Sequence, residues 1–159
     1  MTGQVGKSIP RIGALELAEG RRIFSEDIRF DRPLVLRIFR SRKAHARLLE
    51  VNTGKAKGIP GVAGVLTAAD VPGKNLFGLI HKDQPVLAHD KVRFMGEAIA
   101  LVAAEDEKAA EEALNAIVVV YEDLPPLFDP EAALREGAPL IHAKGNLLCR
   151  KTVRKGNAD

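Results

Sequence analysis

The feature that most constrains the fold is the segment 98–122, where an unbroken apolar run is followed by an amphipathic stretch and a second apolar run. Ala98–Ala104 contains no polar side chain, and a run of this length is typical of a strand buried on both faces. In the stretch that follows, apolar residues recur with the period of a helix, at Ala110, Ala113, Leu114 and Ile117. The segment therefore predicts a strand, a helix over Glu107–Asn115 that Asp106 caps, and a second strand at Ile117–Glu122.

The residues before this segment predict a series of short strands. Their β-branched and aromatic content marks strand candidates at Arg22–Ser25, Leu34–Arg40, Arg47–Asn52 and Val62–Leu66. Residues 1–20 are rich in glycine and have no sustained period, so we expect them to be extended or irregular. Asp70 lies three positions after Thr67, a variant of the capping box, and this spacing predicts a short helix.

The stretch from Pro72 to Gly96 has little periodicity, with brief strand candidates only at Pro85–Leu87 and Val92–Phe94. An irregular stretch of this length inside a compact domain is more often functional or interfacial than a simple connection. Farther along, Asp129 fits the N-cap of a helix with Pro130 at its first position, and Gly137 fits the C-terminal end of that helix.

This order of elements is typical of an α+β domain with a mixed β-sheet and flanking short helices. We expect an extended lead-in over residues 1–19, one domain over residues 20–143 and a basic tail over residues 144–159. The tail carries a net charge of +4, so the net charge of +3 for the whole chain leaves −1 for the other 143 residues. The body of the domain is therefore nearly neutral.

Composition excludes several classes of protein. With 46% apolar and 28% charged residues, the chain is globular and not disordered. No run approaches the roughly 18 apolar residues of a membrane span, and no apolar segment follows Lys7 and Arg11 as in a secretory signal. Cys149 is the only cysteine, which excludes an internal disulfide and an all-cysteine metal site. These observations predict a reducing, cytoplasmic location.

The histidines are spaced too widely for a metal site of ordinary pattern, at His45, His81, His89 and His142. His81 and His89 share the irregular stretch with Asp83 and Asp90, which leaves a weak metal site as one interpretation. Solvated histidines in a loop are the interpretation we favour.

Other arrangements that could carry chemistry are equally weak. Pro60 interrupts the cluster of glycines that follows Gly54, so that cluster does not match a phosphate-binding loop. Carboxylates that could act in acid–base catalysis occur at Glu26, Asp27, Asp83 and Glu97, and we expect them to be solvated. We therefore predict no catalytic, cofactor-binding or metal-binding residue in this chain.

Ordered blocks of sequence nevertheless resemble one family. Two blocks stand before residue 50: Gly20–Ile28 is similar to a G-x-A-R-F-x-x-D-I opening, and Leu36–Arg47 is similar to L-x-x-x-R-S-x-x-A-H-A-R. Six more follow in the same order, at Pro60–Val62, Val65–Gly73, Asp83–Ala88, Lys91–Glu97, Ala100–Ala104 and Val120–Pro125. Together they resemble the N-terminal α/β hammerhead domain of molybdenum hydroxylases of the xanthine dehydrogenase and aldehyde oxidase family.

The resemblance implies a role and its partners. In this family the hammerhead domain packs beside domains that hold a molybdopterin-type molybdenum cofactor, and iron–sulfur and FAD modules carry the electrons away. The motifs that contact the cofactor and the catalytic glutamate come later in the polypeptide, so the resemblance implies an oxidoreductase whose chemistry lies beyond this chain. We expect the isolated chain to be inactive, with Asp83–Gly96 as an interface toward the cofactor domains.

Two alternatives from other classes stay open at this stage. The basic run Arg37–Arg47, with Phe39 available for stacking, could mark a small nucleic-acid-binding protein. A solvated basic face explains the same run more simply. Nucleic-acid-binding proteins usually carry positive charge over a whole face of the domain, and the body of this domain is nearly neutral. The second alternative is a stand-alone adaptor that docks a partner through residues 72–97.

Overall fold

The structure, a computed structural model, describes residues 5–156, which divide into one unit that ends at Pro33 and another that begins at Leu34. The first unit contains helix α1 (Ala14–Ala18) and a single 3-10 turn at Ser25–Asp27. Residues 7–11 have no regular structure, as expected, but the helix at Ala14–Ala18 was not predicted, and the strand expected at Arg22–Ser25 is wrong. The alanine, leucine and glutamate residues of α1 are strong helix formers, and the Phe24 N–H donates to the Asp27 carboxylate at 2.9 Å.

The second unit holds the strands and the remaining helices. Its described strands are β1 (Val35–Arg40), β2 (Ala46–Asn52), β3 (Val62–Thr67), β4 (Leu76–Phe77), β5 (Gln84–Pro85), β6 (Lys91–Val92), β7 (Ala98–Ala104) and β8 (Val118–Asp123). Its described helices are α2 (Gly54–Lys57), α3 (Glu107–Ala116) and α4 (Pro130–Ala133), with a 3-10 turn at Ala68–Asp70. The α+β class is confirmed, and no described helix has the length and apolar character needed to cross a membrane.

The strands form two three-stranded sheets and a small ribbon. Sheet 1 has the order β1-β7-β3, sheet 2 has the order β6-β2-β8, and β4 pairs with β5. Every pairing among the described strands is antiparallel, where a mixed sheet was expected. The reason lies in β7, α3 and β8, which do not form a parallel crossover because β7 and β8 belong to different sheets.

Helix α3 covers one face of sheet 1. The carboxylate of Asp106 accepts a hydrogen bond from the Ala109 N–H at 2.8 Å, which confirms the predicted N-cap. The buried residues that α3 shares with the sheet and with α2 are Ala56, Val65, Ala100, Val102, Ala113 and Ile117. Of the apolar stripe predicted from the helical period, Ala113, Leu114 and Ile117 pack in this core, and Ala110 packs with Ala104 in a cluster of its own.

A second cluster joins the two sheets. Ile99 of β7 is fully buried and packs against sheet 2 and the adjoining loop, at Ala46, Leu48, Ala88 and Val92. Phe39 of β1 contacts both this cluster and the one under α3. Because β7 contributes residues to both clusters, the prediction that it is buried on two sides is confirmed.

The predicted capping residues perform as expected. The backbone N–H of Thr67 donates to the Asp70 carboxylate at 2.8 Å, and these hydrogen bonds lower the pKa of Asp70 below its ordinary value. The Asp129 carboxylate accepts from the Glu131 N–H at 2.9 Å at the start of α4. The two brief strands expected in the irregular stretch are displaced slightly, to β5 and β6.

Candidate functional site

A cavity of about 740 Å³ lies beside sheet 2. Antiparallel pairing places Ala46 opposite Val92 and Arg47 opposite Lys91, so strand alternation puts the side chains of 45, 47, 91 and 93 on one face. The opposite wall comes from residues 139–143. A second cavity of about 490 Å³ shares Asp90, Arg93, His142 and Ala143 with it.

The segment 139–143 is held in place by the side chain of Asn146. Its amide nitrogen donates to the carbonyls of Ala133 and Pro139 at 3.0 and 2.9 Å, and its oxygen accepts from the Ile141 N–H at 2.9 Å. One asparagine therefore ties the end of α4 to the chain that closes the cavity. The sequence analysis did not identify this residue, since nothing next to it in the sequence signals these contacts.

A buried ion pair lies beside the cavity. Glu97 is buried, its carboxylate accepts from the backbone N–H of Arg93, and its Oε1 lies 3.6 Å from Arg93 Nη1. The backbone before β7 is fixed to the turn after β1, because Ser41 N–H donates to the Glu97 carbonyl at 2.9 Å and Gly96 N–H to the Ser41 carbonyl at 2.8 Å. Gly96 has φ 94°, a conformation that favours glycine. The expectation that Glu97 is a solvated carboxylate is therefore wrong.

His45 is also buried, and it adds an unusual feature. Its Nδ1 lies 2.8 Å from the carbonyl oxygen of Pro125, so Nδ1 carries the proton that is donated. Its Nε2 and the Nε of Arg93 are both buried and have no protein partner among the described residues.

The charges of the cavity are mostly positive. Burial lowers the pKa of Lys91, and the charges of Arg93 and Arg47 lower that pKa further. Burial by itself raises the pKa of Asp90, but the hydrogen bond from the Lys91 N–H and the charge of Arg93 outweigh it and leave that pKa below its ordinary value. Arg47 is neutralised by Glu122 at 3.0 Å. The arrangement favours carbonyl or anionic oxygen atoms over cations.

The weak metal site suggested by the sequence is not assembled. His81 Nε2 lies 3.2 Å from the Leu148 carbonyl, and Asp83 lies 3.3 Å from His142. Within residues 5–156, no three His, Cys, Asp or Glu side chains come together in a way that could hold a metal ion. Cys149 is exposed and forms no disulfide.

The basic run Arg37–Arg47 is engaged within the domain. Arg37 pairs with Glu107 of α3, Lys43 Nζ lies 2.9 Å from Asp123, and Arg40 donates to the Gly96 carbonyl at 2.9 Å. Phe39 packs in the core and is not available for base stacking. The structure therefore does not support the nucleic-acid-binding alternative.

Comparisons with known proteins agree with this architecture. The family model described as "Aldehyde oxidase and xanthine dehydrogenase, a/b hammerhead domain" matches residues 19–125. The nicotinate dehydrogenase large molybdopterin subunit of Eubacterium barkeri is 41% identical over 155 residues, which are 98% of this chain and 36% of that protein. A probable xanthine dehydrogenase component of Bacillus subtilis is 43% identical over 136 residues, which are 86% of this chain and 18% of that protein.

Solved structures show the same relationship. The carbon monoxide dehydrogenase from Oligotropha carboxidovorans superposes with a TM-score of 0.72 at 36% identity, covering 85% of this chain and 17% of that chain. The aldehyde oxidoreductase from Desulfovibrio gigas superposes with a TM-score of 0.73 at 33% identity, covering 84% of this chain and 16% of that chain. The chain thus spans roughly a third or less of the proteins it matches.

Proposed function

The chain belongs to the aldehyde oxidase and xanthine dehydrogenase family, as its a/b hammerhead domain, and from that premise we propose that it serves a molybdenum-dependent hydroxylase as a structural domain. The observation that carries the proposal is the agreement of two independent comparisons: the family match over residues 19–125, and superposition on solved oxidoreductases over 84–85% of the chain. The complete enzyme would oxidise an aldehyde or an N-heterocycle, as the relatives' names suggest.

The chemistry of that enzyme would come from a molybdopterin-type molybdenum cofactor, with iron–sulfur and FAD modules accepting the electrons. The described residues do not fit a metal centre of their own, because their His, Cys, Asp and Glu side chains do not gather in threes. We assign the cofactor to other domains, since this chain spans roughly a third or less of the proteins it matches.

The contribution of this chain would be to hold those domains in place. Its partners would be the molybdopterin-binding domains of the same polypeptide, with the iron–sulfur and FAD modules beyond them. Three residues of the segment Asp83–Gly96, namely Asp90, Lys91 and Arg93, line the open cavity beside sheet 2, and this supports an interface with another domain there. The single exposed thiol, Cys149, supports a reducing, cytoplasmic location.

A chimera tests this function. The Eubacterium barkeri protein would carry this chain in place of the 36% of its length that matches. We expect the chimera to fold and to contain molybdenum, measured by plasma mass spectrometry, at close to the parental ratio. The isolated chain should contain none and should oxidise neither nicotinate nor xanthine.

Two results would contradict the proposal. One is stoichiometric molybdenum or turnover with the isolated chain. The other is a chimera that folds without molybdenum while the parental protein, expressed in parallel, retains it.

A further inference from the structure

Lys91 lies among other cations on the wall of the cavity beside sheet 2. Strand register places it directly opposite Arg47, and the Cβ atoms of such a cross-strand pair lie about 4.5–5.5 Å apart. Arg93, two residues farther along, lines the same cavity. Like charges directly opposite each other in an antiparallel pair are destabilising. The strand pairing therefore holds the half-buried Lys91 beside two cations at a cost in stability.

Nearby carboxylates do not neutralise this lysine. Asp90 and Glu97 contact Arg93 instead, at 3.4 and 3.6 Å. In the part of the chain that the structure describes, Lys91 forms no ion pair of its own. Burial lowers the pKa of Lys91, and the charges of Arg93 and Arg47 lower it further, while the two carboxylates oppose this change. A larger share of Lys91 side chains therefore carries the free amine, which is the nucleophilic form.

Arg47 can bind an anion beside this amine. Its side chain is 60% exposed, and it contacts Glu122 through Nε at 3.0 Å. Arginine has five N–H donors in a fixed fork, so the donors on its two Nη atoms can still hold a phosphate group. The cavity of about 740 Å³ is large enough for a small ligand that touches both Arg47 and Lys91.

We propose that Lys91 is a site of spontaneous acylation by acyl phosphates, with Arg47 holding the phosphate group of the donor. The lone pair of the Lys91 Nζ attacks the acyl carbon, and an N–C bond forms. The C–O bond to the phosphate group breaks, inorganic phosphate leaves with the bonding electron pair, and the proton lost by Nζ passes to water. The product is a neutral amide, and nothing is oxidised or reduced. This inference does not rest on the proposed function.

The two side chains favour this class of donor over simpler ligands. An uncharged acyl donor would gain only from the free amine of Lys91, and an anion without an acyl group would gain only from Arg47. An acyl phosphate carries its anionic group next to its reactive carbon, as the register carries Arg47 opposite Lys91. Acylation also removes one of the two like charges that the strand pairing holds together.

The test compares three lysines of this chain during incubation with acetyl phosphate at neutral pH. Lys43 is half-buried like Lys91, but its Nζ lies 2.9 Å from Asp123, which stabilises the ammonium form. Lys74 is exposed. We expect Lys91 to be acetylated about fivefold or more faster than Lys74, and Lys43 to react most slowly, because a free amine and a local excess of anions both raise the rate. Mass spectrometry of peptides measures acetylation at each position.

Two arginine variants separate the role of Arg47 from general charge. Arg47→Gln should slow acetylation of Lys91 by about threefold or more, because the anion-binding charge is lost. The matched control is Arg42→Gln, an exposed arginine that does not line the cavity, and it should leave the rate unchanged. With the uncharged donor N-acetoxysuccinimide, Arg47→Gln should have a smaller effect, since no phosphate group then needs to be held. Circular dichroism and urea midpoints show that both variants remain folded.

Three outcomes would overturn the proposal. Lys91 could react no faster than Lys74, or the two arginine variants could have equal effects. If Arg47→Gln slows the reactions with both donors equally, Arg47 acts on the amine alone and does not hold the phosphate group. The measurements use this chain by itself, so none of these outcomes bears on the proposed function, which the chimera tests.

Discussion

Sheet 1 and sheet 2 have the same plan and differ in how their exposed charges are paired. Each has three antiparallel strands, and each turns one side toward a core that Phe39 and β7 share. Sheet 2 exposes Leu49 and Val120 beside an ion pair between two of its own strands, Arg47 with Glu122 at 3.0 Å. In sheet 1 the exposed Arg37 pairs instead with Glu107 of α3. The difference teaches that the helix covering sheet 1 takes part in its ion pairing, whereas the ion pair of sheet 2 joins two strands of the sheet itself.

The exposed ion pair of sheet 2 contributes little to the stability of the fold. Arg47 and Glu122 are both largely exposed, and exposed pairs of this kind contribute between about 0 and 1 kcal/mol. Stability must therefore come from what the two sheets bury between them. Substitutions in the contact shared by both sheets should therefore lower the free energy of unfolding most, and substitutions of single charged residues should change it least.

The largest effect should come from Ile99→Ala. The side chain is fully buried where β7 meets sheet 2, and its truncation leaves a cavity between the sheets. We expect the free energy of unfolding to fall by about 3 kcal/mol, with about 1 kcal/mol for Ile99→Val as the conservative control. Urea denaturation followed by circular dichroism measures both. A loss below about 1 kcal/mol for the alanine variant would mean that the two sheets do not share a core.

Glu97→Gln should follow. The buried carboxylate balances the charge of Arg93, and an amide keeps the shape while it removes the charge. We expect a loss of about 2 kcal/mol in the free energy of unfolding, because hydrogen bonds to buried charged groups are costly to weaken. The matched control is Glu122→Gln, which breaks an exposed pair and should cost less than about 1 kcal/mol. Equal losses would contradict the burial of the first pair.

Asp106→Ala tests the helix that covers sheet 1. The carboxylate caps α3 through the Ala109 N–H, and its loss should lower the free energy of unfolding by about 1 kcal/mol. Asp106→Ser retains a capping oxygen and should recover most of that loss. The same urea titration measures it, and a serine variant as unstable as the alanine variant would argue against capping.

Lys91→Gln should have the smallest effect and the opposite sign. Burial and the charges of Arg93 and Arg47 lower the pKa of Lys91 in the folded state, so the charged lysine opposes folding at neutral pH. Stability from this group is present above its unfolded pKa of about 10.4 and is lost as pH falls through the folded pKa. Solvent screens the group, so we expect the variant to gain less than about 1 kcal/mol at neutral pH.

A control variant and a pH series show whether the gain in stability comes from the charge of Lys91. Lys74→Gln changes an exposed lysine elsewhere and should leave the urea midpoint unchanged. The advantage of the Lys91 variant should shrink as pH rises toward the ordinary pKa of lysine, because the unaltered chain then loses the unfavourable charge. An advantage that grows with pH would reverse the sign of the argument.

The sequence was informative where the signal is local. The apolar run of β7, the stripe of α3 and the caps at Asp106 and Asp129 are each encoded within a few residues, and the structure confirms them. Ordered blocks of turn and strand residues also identified the family. These signals depend on periodicity and backbone chemistry that neighbouring residues determine.

Features that depend on distant partners were missed. Nothing in the sequence of β8 says that it pairs with β2 and not with β7, so a mixed sheet was expected where two antiparallel sheets exist. Glu97 was expected at the surface because its burial depends on Arg93 and on the turn at Ser41. The helix α1 escaped notice because five residues are too few to show a period.

The register of both sheets has a consequence for synthesis on the ribosome. Val35 pairs with Ala104 in sheet 1, and Asn52 pairs with Val118 in sheet 2. In each sheet, an early strand therefore pairs with a strand that is synthesised more than 60 residues later. Long-range pairing of this kind slows folding, since loop closure must precede the contacts that reward it. The early strands β1 and β2 therefore leave the exit tunnel without their partners, and their backbone edges stay unpaired until β7 and β8 have emerged.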